Sequence, residues 1–134
     1  MAAAIEHDRH TVTLFVCGDV MTGRGIDQIL PRPSDPRLFE PCVSSAVEYV
    51  KLAERVAGPI PRRVPFDYVW GDALRELEHA RPDVRIVNLE TAVTTSSEAS
   101  PDKSIHYRMH PDNIQCLTVA RIDCCILANN HVLD

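Results

Sequence analysis

Three short apolar runs along the chain end abruptly in polar residues. Val12-Thr13-Leu14-Phe15-Val16-Cys17 meets Gly18-Asp19, Val84-Arg85-Ile86-Val87 meets Asn88-Leu89-Glu90, and Cys124-Cys125-Ile126-Leu127-Ala128 meets Asn129-Asn130-His131. Short apolar runs with little polar alternation predict strands buried on both faces. Between them the apolar positions take a helical period. Val43, Ala46, Val47, Val50, Leu52, Ala53 and Val56 predict an amphipathic helix over 43–56 closed by Gly58, and a second helix over 68–79 starts after Asp67. A short helix from Ile26 to Leu30 is stopped by the prolines at 31, 33 and 36, and a fourth helix runs over 112–120. Ile105 to His110 alternates strictly, which predicts a short solvated strand with Ile105, Tyr107 and Met109 on one face.

The resulting order, β, α, α, β, short strand, α, β, places the chain in the α/β class, with a mostly parallel sheet and flanking helices. If the strands are parallel, Asp19, Asn88, Glu90, Asn130 and His131 lie along one carboxyl edge. Open α/β sheets take their ligands at that edge. Oxygen and nitrogen donors converging there, with no cysteine among them, suit a divalent metal such as Mn²⁺, Mg²⁺, Fe or Zn²⁺.

Composition narrows the picture. A length of 134 residues gives room for one domain, with residues 1–10 a polar lead-in and 11–134 the folded part. A net charge of −5 with scattered basic residues argues against a nucleic-acid partner. No apolar run approaches the roughly 20 residues that span a bilayer, and the N-terminus lacks the basic and apolar regions of a signal peptide, so a cytoplasmic location is expected. The five cysteines form no CxxC pair, and Cys17, Cys124 and Cys125 fall inside strand patterns, where reduced, buried thiols act as small hydrophobes.

Smaller features carry candidate contacts. Met21-Thr22-Gly23-Arg24-Gly25 is either a strand-to-helix turn or a place where the backbone approaches a ligand and Arg24 meets an anion. Thr91 to Asp102 is a Ser/Thr-rich loop, and Trp70 is expected in the core or an interface. His106 and His110 in a strand stand about 13 Å apart, too far to share one ion. His106 and Arg108 are kept as contacts to an anionic substrate.

With Gly18-Asp19-Val20-Met21, Asn88-Leu89-Glu90 and Ala128-Asn129-Asn130-His131 in this order, the sequence resembles the CapA family of capsule-synthesis proteins associated with poly-γ-glutamate. Tyr68 to Leu74 and Tyr107 to Asn113 look like family segments too, so the resemblance covers about residues 12–134. It implies a metallophosphatase-like fold, here a partial sandwich. In calcineurin-like metallophosphatases, to which that fold is similar, successive strands deliver Asp-x-His, Gly-Asp and Gly-Asn-His. Asp19 matches the first aspartate, Glu90 takes the place of the second, and Asn130-His131 match the third motif. Met21 stands where the first histidine would be, and a thioether is a poor ligand for a hard cation. The family's later histidine motifs have no counterpart before Asp134, which implies a truncated N-terminal portion of the domain.

Site roles follow from the resemblance. Asp19, Glu90 and Asn130 would hold a divalent metal in the complete domain, and weakly or not at all in this chain. Asn130 would also orient the scissile bond, and His131 would act as general acid or as an electrostatic stabiliser. Arg24, Arg108 and His106 would contact an anionic polymer or phosphoester. The implied function is metal-dependent hydrolysis of a phosphoester or amide bond in capsule-polymer biosynthesis. The alternative is a non-catalytic polyanion-binding protein of polymer synthesis or export, and a third reading makes the carboxylates and amides simple turn and cap residues.

Overall fold

A computed structural model of the chain describes residues 11–101 and 103–134. The lead-in over 1–10, and Asp102 at the end of the Ser/Thr-rich loop, lie outside the described residues. The strands are β1 (Leu14–Val20), β2 (Val84–Leu89), β3 (Ala92–Val93), β4 (Arg108–Met109) and β5 (Cys124–Ile126). β1, β2 and β5 form a parallel sheet with β2 in the centre, and β3 and β4 form a separate two-stranded parallel ladder. The α/β class and the parallel pairing agree with the sequence.

Burial on both faces does not. Registers align Val16 with Ile86 and Ile86 with Cys124, while Cys17, Val87 and Cys125 share the opposite face. On that second face Leu89 and Cys125 pack with Met109, Cys116, Leu117 and Trp70 into one core cluster. The first face is open among the described residues: Leu14 is 54% exposed, Val16 68% and Ile126 45%. Among the described residues the core therefore gathers on one side of the sheet. Cys124 is correspondingly exposed and Cys17 and Cys125 are half-buried, so Cys116 is the fully buried thiol; all five cysteines are free. No helix among the described residues is long and apolar enough to cross a membrane.

The helices are α1 (Arg24–Ile29), α2 (Ala46–Ala57), α3 (Ala73–Ala80) and α4 (Gln115–Val119). α2 ends as expected at Gly58, whose φ of 83° is the left-handed conformation a glycine tolerates. The single helix expected over 68–79 is broken: Tyr68–Trp70 is a 3-10 turn, and Gly71 at φ 52° redirects the chain before α3 begins. Likewise Pro111–Ile114 is a 3-10 turn ahead of α4, capped by His110 Nδ1, which accepts from the Asp112 amide at 3.1 Å. α1 and α2 enclose a second cluster of Ile29, Leu30, Val50 and Val64, and Phe66 and Val69 pack against both clusters.

The 105–110 segment departs furthest from expectation. Only Arg108–Met109 pair as a strand, against Ala92–Val93, and Tyr107 gives its amide to Asp134 Oδ2 at 2.6 Å instead of to a ladder. Outside a ladder the alternation loses its meaning, so His106 is 2% exposed and Ile105 lies outward. Two residues anchor this segment to the first helix. A Cβ on Gly23 would stand 2.7 Å from the Arg108 amide nitrogen and 2.9 Å from its carbonyl oxygen, so only glycine lets these backbones meet. Asp27, 1% exposed, accepts from the amides of Ser34 (2.6 Å) and His110 (3.0 Å) and from Asn113 Nδ2 (2.8 Å).

Candidate functional site

The carboxyl ends of β1, β2 and β5 carry one connected polar network. A bulge sets it up. Cys17 pairs with Val87 and Asp19 with Asn88, so Gly18 is an extra residue in β1, and the shift turns Asp19 onto the face of Asn88. Asn88 Nδ2 then donates to Asp19 Oδ1 and to Glu90 Oε2, both at 2.7 Å. Asn129, just beyond β5, donates from Nδ2 to Asn88 Oδ1 at 2.8 Å and to the Leu89 carbonyl at 3.0 Å. Its own Oδ1 accepts from the His131 amide at 2.9 Å, which fixes the turn that presents the imidazole.

His131 is buried between two carboxylates. Nδ1 lies 2.5 Å from Asp134 Oδ2, and Nε2 lies 3.7 Å from Glu90 Oε1. A carboxylate only accepts, so Nδ1 carries the proton it donates to Asp134, and Nε2 pairs with Glu90 only when it carries a proton too. The Tyr107 ring stacks on the imidazole at 4.1 Å and 20°. Asp134 is itself fully enclosed and also receives the Lys103 ammonium and the Tyr107 amide. Burial works to raise its pKa, but Lys103, the Tyr107 amide and His131 outweigh burial and hold it below the ordinary carboxylate value.

Asp19 and Glu90 face one point, the Asn88 amide nitrogen, and their hard oxygens with a nearby imidazole are the donor chemistry of a divalent-metal site. The number of donors falls short. Among the described residues no three His, Cys, Asp or Glu side chains converge closely enough to hold an ion.

The structure brings Asp19, Glu90 and His131 together, as the sequence reading expected. Asn130 is different: it lies exposed with its carbonyl bonded to Lys103, and the neighbouring Asn129 is the amide that enters the network. Arg24, His106 and Arg108 stand apart from this edge, around a cleft of about 380 Å³ also lined by Ser34, Arg37 and Ser96. The anion that Arg24 meets is internal: Nη2 pairs with Glu40 Oε2 at 2.5 Å, and the guanidinium lies 3.9 Å from the Tyr49 ring centroid. Tyr49 donates to the same Glu40 oxygen at 2.6 Å, and that hydrogen bond chiefly raises its phenol pKa. His106, expected in solvent, is buried edge-on against Phe39 at 5.7 Å. Sequence reasoning missed Lys103, Tyr107 and Asp134; the only local signal was an acid three residues after a histidine, a spacing that one turn brings together.

Comparison with known proteins follows this geometry. A probable polyglutamine synthesis accessory protein of Mycobacterium tuberculosis, strain CDC 1551 / Oshkosh, is 51% identical over 123 residues, covering 92% of this chain and 32% of its own length. The protein described in the same words from strain H37Rv matches to the same extent. The chain thus spans about a third of the length of these curated relatives. No solved structure matches it. The family model for bacterial capsule synthesis protein PGA_cap matches residues 13–134, from the start of β1 through Asp134, and the chain belongs to that family.

Proposed function

We propose that this chain supplies the strand-edge half of a hydrolytic centre that acts on an anionic polymer during capsule synthesis. The observation that carries the reading is the single network joining Asp19, Asn88, Glu90, Asn129, His131 and Asp134 at the carboxyl edge of three parallel strands. Turn and cap roles alone leave unexplained why a buried carboxylate should hold one imidazole nitrogen and aim the other at a second carboxylate. That arrangement suits proton transfer: Asp134 keeps the ring in one tautomer, Glu90 stabilises the imidazolium, and Nε2 takes or delivers the proton at the scissile bond. The family, described as one of bacterial capsule synthesis, and the relatives, named for polyglutamine synthesis, support an amide-linked capsule polymer as the substrate class.

A divalent metal belongs to the same proposal, for the longer proteins of which this chain matches a third. Asp19 and Glu90 would contribute to holding it, with further ligands from outside this chain. When bound, such an ion polarises the attacked group and acidifies a water. The five free thiols support a reducing, cytoplasmic setting. The non-catalytic alternative has its own support: Asn88 Nδ2 donates to both carboxylates and ties them into the fold.

The test is turnover of a generic phosphodiester and of γ-linked polyglutamate, with and without Mn²⁺, in this chain and in the longer M. tuberculosis relative. Hydrolysis by the relative, lowered about 10² to 10⁴-fold by replacing the counterpart of His131 with alanine, is expected. If the relative binds polymer but cleaves neither substrate, the hydrolytic reading is wrong and the polymer-binding one takes its place.

A further inference from the structure

We infer that Arg24 and Tyr107 are positioning residues for His131: a stack built from Tyr49, Arg24 and Tyr107 fixes the plane of the imidazole and with it the direction of Nε2. The inference rests on the proton-transfer reading above, and it takes Arg24 out of the substrate contacts. Asp134 holds His131 at Nδ1. A hydrogen bond at one ring nitrogen still lets the plane tilt about it, and a tilt carries Nε2 away from the group it serves. The Tyr107 ring, stacked on the imidazole at 4.1 Å and 20°, closes that freedom.

Tyr107 is held in turn from the first helix. The Arg24 guanidinium lies 5.4 Å from the Tyr107 ring centroid and 3.9 Å from that of Tyr49, within the distance over which a cation is drawn to an aromatic face. Glu40 fixes this guanidinium: Nη2 pairs with Oε2 at 2.5 Å, and the two side chains are only 14% and 6% exposed. The Tyr49 hydroxyl accepts from the same Nη2 and donates to the same Glu40 oxygen. With Glu40 matching its charge, Arg24 has little left for a substrate anion, but its flat cation is suited to stacking. A buried ion pair adds little stability over apolar packing, and its use here is geometrical, because it sets where the guanidinium lies.

The backbone serves the same end. Arg24 opens α1 at φ 51°, a left-handed conformation that a residue with a side chain keeps only where its surroundings impose it. Gly23 before it packs against the Tyr107–Arg108 peptide, where a Cβ would meet the Tyr107 carbonyl carbon at 3.1 Å. The start of α1 and the residue that stacks on His131 are thus joined through both main chain and side chains.

The experiment reads the imidazole of this chain by proton NMR. An aromatic ring moves protons over its face upfield, so the ring protons of His131, assigned by their loss in His131→Gln, should be displaced upfield. Tyr107→Phe should keep the displacement and Tyr107→Leu should lose it. Arg24→Gln combined with Glu40→Gln removes both charges, leaves no buried carboxylate unpaired, and should reduce the displacement. A displacement absent from the wild type, or unchanged in Tyr107→Leu or in the paired variant, would overturn the positioning role. In the longer M. tuberculosis relative, Leu at the counterpart of Tyr107 and the paired change at those of Arg24 and Glu40 should each lower kcat about 10 to 10²-fold with KM unchanged. A raised KM with kcat intact would return Arg24 to substrate binding and refute the inference. The two readings fail separately. An inactive relative with the displacement behaving as expected ends the hydrolytic reading and keeps the stack, whereas an active relative whose kcat ignores both changes does the reverse.

Discussion

Replacing Asp27 should cost this fold more than its position in a six-residue helix suggests. Its carboxylate joins α1, the proline-rich loop after it, and the turn ahead of α4, through Ser34, His110 and Asn113. Each hydrogen bond to a charged acceptor contributes about 1.5–3 kcal/mol when buried. Only the Asn113 bond is fully buried, and the Ser34 and His110 amides lie partly within reach of water, so the lower part of that range applies to two of the three. Asp27→Ala should therefore destabilise the chain by about 4.5–6 kcal/mol, a large share of a typical domain's 5–15. Asp27→Asn keeps the shape and one oxygen. Placed at Oδ1, that oxygen still serves His110 and Asn113 and abandons only Ser34, a loss of about 1.5–3 kcal/mol. Urea unfolding followed by the fluorescence of Trp70, the single tryptophan, reads both values. Asp27→Ala within about 1 kcal/mol of wild type, or Asp27→Asn the worse of the two, would refute the reasoning.

Other expectations rest on separate features. Gly23→Ala forces a methyl against the Arg108 backbone and should destabilise by about 2 kcal/mol or more in the same urea assay, whereas Gly18→Ala, with nothing within 4 Å, should cost under about 1 kcal/mol. Burial pushes the Cys116 thiol up to about 11, so at neutral pH a maleimide should label the exposed Cys42 and Cys124 at once and Cys116 only on unfolding; mass spectrometry of labelled peptides checks the order. Asp134 has a folded pKa held below the ordinary value, so its contribution is present above the ordinary carboxylate range and is lost as pH falls through the folded value. The stability gap between wild type and Asp134→Asn should accordingly shrink on acidification, and a gap that is constant from neutral to acid pH would contradict the ion pair.

Much of the site was legible in the sequence because its signals are local. A short apolar run marks a strand wherever it lies, and an abrupt polar end marks the strand's terminus, so Asp19, Glu90 and His131 could be assigned to one edge of a parallel sheet before any contact was known. Which side chain faces which is a tertiary matter. The bulge at Gly18 decides that Asp19 meets Asn88, and the turn after β5 decides that Asn129 enters the network while Asn130 points away. His106 is buried because its segment leaves the ladder to bond Asp134, so the alternation that predicted a solvated face no longer applied. Among the described residues the core gathers on one side of the sheet, which leaves Leu14, Val16 and Ile126 open although their pattern reads as doubly buried. Local sequence encodes the period of each element through backbone geometry, but partners about 20 to 100 residues away choose the face, and only the folded chain brings them into place.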